Sequence, residues 1–208
     1  DVINKHREVI YAERRKILSG ADLKANIMSM IQDEIQSVVT NHFSNVIADE
    51  VKQSDLSGLL EDVSTIFPLP PQFGNDGLSE LSSKQITAKL NAYAVELYDQ
   101  REQEIGTENM RLAERLIMLR VIDRLWMEHL TAMEHMRQGI GLRAIGQQDP
   151  LVVYKREGHT LFDSLLAGIQ HDVAHSIYHV GIAKEPPRKK QAVVAGKKVG
   201  RNDPCPCG

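Results

Sequence analysis

Cys205-Pro206-Cys207-Gly208 is the segment of this 208-residue sequence whose spacing speaks most directly of chemistry. Two thiols one residue apart are too close for an easy disulfide. With turn-forming Pro and Gly they suit two thiolates turned toward one metal. A structural zinc site needs four ligands, and the nearest His is His179, 26 residues before Cys205. The pair is therefore half of a zinc site completed beyond Gly208, or it is no site. His171, His175 and His179 recur at i, i+4, i+8, a spacing that can set imidazoles on one helix face. That face lies opposite Ile169, Val173 and Ile177, and no Cys or Glu completes a ligand set, so a solvated His face is expected. His129 and His135, beside Glu128 and Glu134, are expected to face solvent as well. A phosphate loop is missing: Gly196-Lys197 lacks the upstream Gly and the Ser or Thr. Nor does any Gly-rich segment follow a strand pattern, which argues against a self-contained nucleotide site. Between Arg137 and Gln148, Leu142, Arg143 and Ile145 stand among glycines. They form either an ordinary connector or an exposed apolar tip that meets a partner.

These residues need elements to position them, and the apolar periodicity supplies helices. Ile3, Ile10 and Ile17 recur at heptad spacing and predict a helix to about residue 18, with Gly20 placed to end it. Asp22 reads as an N-cap for a helix carrying Leu23, Ile27, Met30, Ile31, Ile35 and Val38 to about Val46. A shorter helix is predicted from Leu56 to Phe67, burying Leu59, Leu60, Val63 and Ile66. Pro68, Pro70 and Pro71 end it, and a loop over 74–77 follows. Ser82 and Gln85 form a capping-box pattern ahead of Ile86, Leu90, Tyr93, Leu97 and Ile105. Gly106 interrupts, and Thr107 is placed to cap the next start. Leu112, Leu116, Leu119, Ile122, Trp126, Leu130 and Met133 then step by three or four without a break. This stripe is predicted to stop at Gln138-Gly139, with Gly141 and Gly146 keeping the next residues out of helix. Asp149-Pro150 restarts it, and Leu151, Tyr154, Leu161, Leu165, Ile169, Val173, Ile177 and Val180 run on to Gly181. Two helices, each ~45 Å long, would flank a short loop as an antiparallel hairpin.

Composition agrees with an all-α chain. Hydrophobic residues make up 42%, charged residues 25% and aromatics only 5%, which disfavours a β-sandwich or barrel. No apolar run approaches the ~20 residues that span a bilayer. Two Cys near the end exclude a disulfide-stapled secreted domain. The chain begins without Met or signal peptide, so residue 1 reads as a cut inside a longer protein. The net charge of −3 hides a split. From Lys184 onward seven basic residues face two acidic ones, and the body before it carries a surplus of eight acids. Such a tail meets something anionic, or is a linker kept soluble by its charge.

The run ERLIMLRVIDRLWMEHLTAMEHMRQGIGLRAIGQQDPLVVYKREGHTLFDSLL (114–166) resembles the two-helix finger of the SecA family, the cytoplasmic motor ATPases of bacterial preprotein translocation. DVINKHREVIYAERRKIL (1–18) resembles the end of that family's long scaffold helix, and VGRNDPCPCG (199–208) the start of its zinc motif. The resemblance implies the end of a helical scaffold at 1–20, a helical wing at 21–106, and scaffold and two-helix finger at 107–180. A flexible linker at 181–198 and a partial zinc motif at 199–208 complete it. It implies a fragment without a catalytic site, belonging to an ATPase whose ATP- and magnesium-binding domains lie upstream. Leu142, Arg143 and Ile145 would contact the SecYEG channel and the unfolded preprotein, and Trp126 would be a packing anchor that transmits to the motor domains. Cys205 and Cys207 would hold zinc together with ligands beyond Gly208. The tail would meet the chaperone SecB and acidic phospholipids. The resemblance also admits a homodimer, and places the protein in the cytoplasm and on the cytoplasmic face of the inner (plasma) membrane. Three features depart from the family: Ile145 stands where many members carry Tyr, the linker after Val180 is short, and the zinc motif stops after one ligand pair. An apolar tip contact therefore carries over and an aromatic one does not. The rival reading is a stand-alone helical adapter whose metal-binding basic tail holds nucleic acid or acidic protein. Against it counts the lack of interleaved aromatic and basic residues on the body.

Overall fold

A computed structural model describes residues 2–43, 53–74, 78, 81–143 and 149–181. All regular structure among them is helical, as expected: α1 (Val2–Leu18), α2 (Lys24–Phe43), α3 (Gln53–Ile66), a 3-10 turn at Pro71–Phe73, α4 (Ser83–Ile105), α5 (Thr107–Arg143) and α6 (Pro150–Ile177). None of the described helices is long and apolar enough to cross a membrane. Residues 182–208, with the basic stretch, Cys205 and Cys207, lie outside the described residues.

The helix boundaries follow local chemistry. Gly20 and Gly106 adopt φ of +84° and +88°, which side chains other than glycine's rarely tolerate. Asp22 Oδ1 accepts the Lys24 N–H at 3.0 Å, Ser82 and Gln85 close the capping box, and Asp149 accepts the Leu151 N–H at 2.8 Å with Pro150 behind it. Thr107 is not the cap expected of it. It is already helical, and the Gly106 carbonyl accepts the Met110 N–H.

Both helices of the hairpin end elsewhere than expected. α5 does not stop at Gly139; it passes through Gly139 and Gly141 to Arg143. A glycine costs a helix about 1 kcal/mol relative to alanine, a penalty that a long, packed helix absorbs. The 37 residues of α5 span ~55 Å. α6 ends at Ile177, before Val180. There the Arg101 guanidinium, from α4, donates to the carbonyls of Tyr178 and Val180 at 3.0 Å each, holding them away from a helical path.

The face of α5 that meets the core also differs in its first half. Leu112 and Leu116 are exposed, at 51% and 58%, while Met110, Glu114, Met118, Val121, Ile122, Trp126 and Met133 are buried. The expected stripe holds from Ile122 to Met133 but misses the core face at Leu112 and Leu116, where one of the buried positions, Glu114, is a carboxylate. On α6, likewise, Leu151 faces solvent and Val153 is buried.

α5 and α6 form the most extensive helix–helix interface among the described residues. They run antiparallel: Arg124 pairs with Asp172, Leu125 faces Gly168, and Met133 faces Gly158. α1 lies along this pair. Val2 sits at Gly158, His6 at His129, Tyr11 at Trp126, and Arg14 forms an ion pair with Asp123. α2 and α3 pack against the other half of α6, and α4 packs on α2 and on the start of α5. Ile27, Ile31, Ile35, Leu59, Val63, Ile66, Ile86 and Leu90 fill that end with no exposure at all.

Candidate functional site

Three polar constellations and the hairpin tip are the places where this fold concentrates chemistry. At the tip, the α5 backbone is helical through Leu142 and Arg143, and Ile145 lies outside the described residues. Trp126 is buried at 6% exposure, with its ring edge-on to Tyr11 of α1 and stacked on His129. It joins α1 to the hairpin. Beside it, Tyr11, Arg14, Leu18, Met127 and Leu130 line an open groove between α1 and α5.

The first constellation is a nest of rings. His129, expected at the surface, is only 5% exposed. Its Nε2 lies 3.1 Å from Nδ1 of the buried His6, and Phe162 stacks on His6 at 4.2 Å between centroids. Burial, then the neighbouring His129 and His159, lowers the His6 pKa from 6.5 to about 4, against an opposing pull from Asp163. Burial also lowers His129, opposed by a backbone hydrogen bond to Leu161. Both imidazoles are therefore neutral at pH 7. His129 sits here because it continues the α5 core face one turn beyond Trp126. His135 is exposed, as expected.

The second joins α4, α5 and α2. Glu114, 1% exposed, accepts hydrogen bonds from the Tyr98 hydroxyl and from Arg111. Arg111 also reaches Glu102 at 2.6 Å, and Lys24 bonds Glu102 and Asp99 at 2.8 and 2.9 Å. Burial raises the Glu114 pKa, with Tyr98 and Arg111 pulling the other way. Burial, reinforced by Glu114, raises that of Tyr98. With its carboxylate satisfied by two donors, Glu114 can occupy a core position that an unpaired acid could not.

The third corrects the expectation for the His face of α6. His171 and His175 do not simply face solvent. Glu34, a 9% exposed residue of α2, places Oε1 at 2.7 Å from His171 Nδ1 and 3.4 Å from His175 Nε2. The carboxylate missing from the local sequence comes from a helix 137 residues away. The ligand-bearing atoms of the three side chains lie within 4.8 Å of one another. His179 stays apart, its Nδ1 bonded to the His175 carbonyl. Thr65 of α3 completes the surroundings, 3.2 Å from His175 Nδ1. Neither Glu34 nor Thr65 carries any local signal in the sequence; only the packing of α2 and α3 on α6 brings them in.

Comparison with known proteins bears on the whole of this architecture. The family described as "SecA Wing and Scaffold domain" matches residues 1–181. A protein of Dehalococcoides mccartyi named "Protein translocase subunit SecA" is 45% identical over all of this chain and a quarter (25%) of its own length. Proteins of the same name from Pelotomaculum thermopropionicum and Clostridium perfringens are 41% and 39% identical, again over the whole chain and over 25% and 27% of their lengths. The chain thus spans about a quarter of the length of the curated relatives it matches. With an all-helical hairpin, a buried Trp126 joining it to α1, and a match that runs from the first residue to Gly181, the chain belongs to the SecA wing and scaffold family.

Proposed function

We propose that this chain is the wing and scaffold part of a protein translocase subunit that uses ATP to move preproteins through the SecYEG channel. The single observation that carries the proposal is mechanical. α5 and α6 form one antiparallel hairpin with buried contacts from Met110 to Met133 of α5 and from Val153 to Ile177 of α6, braced by α1, so a push at one end is carried along a packed helix pair. The relatives' name, translocase subunit, supplies the context for such a lever.

In this reading 1–20 ends the scaffold helix, 21–106 is the wing, 107–180 the scaffold and two-helix finger, 181–198 a linker and 199–208 part of a zinc motif. Leu142, Arg143 and Ile145 meet the channel mouth and the polypeptide. Trp126, wedged between α1 and the hairpin, passes displacements between scaffold and finger, and the groove beside it receives other domains of the longer protein. Those domains bind ATP and magnesium and perform hydrolysis; this chain contributes no catalytic group. Cys205 and Cys207 supply two thiolates to zinc, and the basic tail meets SecB and acidic phospholipid. The protein works in the cytoplasm and on the cytoplasmic face of the inner membrane, as a monomer or homodimer.

The test replaces Ile145 by Asp in the longer protein. A charge in place of the apolar side chain at the tip depresses translocation into membrane vesicles, while hydrolysis by the soluble protein stays unchanged. The sequence reading puts Ile145 in a connector, where substitutions cost within about 0.5 kcal/mol, so the melting temperature is expected to stay put. Normal translocation with ATP use still coupled would reduce the tip to a connector.

A further inference from the structure

At the α2–α6 contact Glu34, which no sequence motif announces, meets the i, i+4 pair His171 and His175, and the hydrogen-bonding logic of the three is tightly constrained. The Thr65 hydroxyl donates its one hydrogen to the Asp62 carbonyl at 2.6 Å. Toward His175 Nδ1, 3.2 Å away, it can therefore only accept. His175 must carry its proton on Nδ1, and in the neutral ring Nε2 then presents a lone pair. That lone pair points at Glu34 Oε1, 3.4 Å away, a second acceptor. His171 Nδ1 faces the same oxygen at 2.7 Å. Two imidazole nitrogens thus converge on one carboxylate oxygen: His171 Nδ1 can donate to it as an ordinary hydrogen bond, but the His175 Nε2 lone pair facing Glu34 needs a positive charge between them for its contact to be favourable. A proton can supply that charge, and so can a metal ion.

We propose that Glu34, His171 and His175 form a divalent transition-metal site, with zinc as the fitting ion, that clips α2 to α6. Imidazole and carboxylate ligands suit zinc, and three protein ligands with a water completing the tetrahedron is an established coordination set. Ligand atoms of a tetrahedral zinc lie about 3.3–3.6 Å apart, given bonds of about 2.0–2.2 Å; atoms already within 4.8 Å of one another reach this by small side-chain rotations. His171 and His175 share one face by their i, i+4 spacing, with rings 4.0 Å apart. Thr65 acts as the outer partner that holds His175 in the metal-binding tautomer, a role such partners commonly play. Exposure of His171 leaves a path for the ion to enter. The three ligand atoms are nitrogen and oxygen alone.

The experiment uses the full chain with Cys205→Ser and Cys207→Ser, so that thiolate binding is removed. Cobalt(II) and zinc(II) are titrated, read by visible absorption for cobalt and by melting temperature for zinc. Expected is one cobalt bound with d–d absorption and no thiolate charge-transfer band, and a melting temperature that rises with zinc. His171→Gln, at an exposed position, and Glu34→Gln each weaken binding at least tenfold. Thr65→Val, which keeps all three ligands, weakens it about 10- to 100-fold. His179→Gln changes nothing. His171→Gln keeps the test decisive should Glu34→Gln fail to fold. No metal response in the Cys-free chain overturns the proposal. So does a response that survives His171→Gln, or one that disappears with His179→Gln.

Discussion

His6 and His129 share a single hydrogen bond deep between α1 and α5, and this fixes how the molecule responds to acid. A hydrogen bond between two imidazole nitrogens needs one donor and one acceptor, so both rings cannot be charged. The folded His6 pKa, about 4, lies below the ordinary 6.5 that an unfolded chain shows. Between those two values the unfolded state binds more protons than the folded one. Stability is therefore complete above pH 6.5 and falls as pH drops toward 4. The loss attributable to His6 is at most roughly 3–4 kcal/mol, because each tenfold change in proton affinity is worth about 1.4 kcal/mol. Melting temperatures followed across that window should fall in the native chain. In His6→Phe, which keeps the stack on Phe162, they should fall less steeply. Some slope remains because His129 is also lowered by burial. An unchanged slope would mean that another group carries the acid response. Neighbouring Glu128 and Glu134 are exposed, and a core histidine among exposed acids is what local sequence context hides.

At the scale of the element, α5 decides which of two faces is core. Its buried line runs Met110, Glu114, Met118, Ile122, Trp126 and Met133, and its leucines at 112 and 116 stand in solvent. Ile122→Ala should therefore open a cavity and cost about 2–5 kcal/mol, whereas Leu116→Gln should stay within about 0.5 kcal/mol. Denaturant melts of the two variants check this, and a large loss from Leu116→Gln would restore the leucine face as core. Most of the architecture is legible in the residues. Helix starts at Asp22, Ser82 and Asp149 carry cap side chains, Gly20 and Gly106 mark breaks, and the buried positions of α2 and α6 repeat at helical spacing. Such signals are local, so a single chain displays them. What escapes such a reading is set by distant partners. Glu114 is core because Tyr98, reaching over from α4, joins the local Arg111 in satisfying it. Similarly, Arg101 of α4 takes the carbonyls of Tyr178 and Val180, where periodicity alone continues α6. In the Glu34–His171–His175 cluster the i, i+4 spacing marks the two histidines, but Glu34 joins them only because α2 packs against α6, and no periodicity records that.

Over the whole molecule, α5 and α6 are the shared members of two clusters. One end holds α1 with the ring nest and Trp126; the other holds α2, α3 and α4 with the Glu114 network. Because both helices run unbroken through the two ends, loosening one end should propagate into the other, and the chain should melt as one cooperative unit. The single Trp makes this measurable. Trp126 fluorescence reports the α1 end, while far-ultraviolet circular dichroism reports every helix. In the native chain the two transitions should coincide. Glu114→Ala leaves Tyr98 and Arg111 with a buried network broken, at a cost of about 3–5 kcal/mol. For a chain of this size that lowers the midpoint by roughly 6–20 °C. The Trp126 signal, three turns along α5 from residue 114, should shift by the same amount as the circular dichroism. If the dichroism shifts and the fluorescence does not, the two ends melt independently. A lever in which displacements at the α2–α4 end are felt at the α1 end would then be untenable, because the helices joining them would not act as one body.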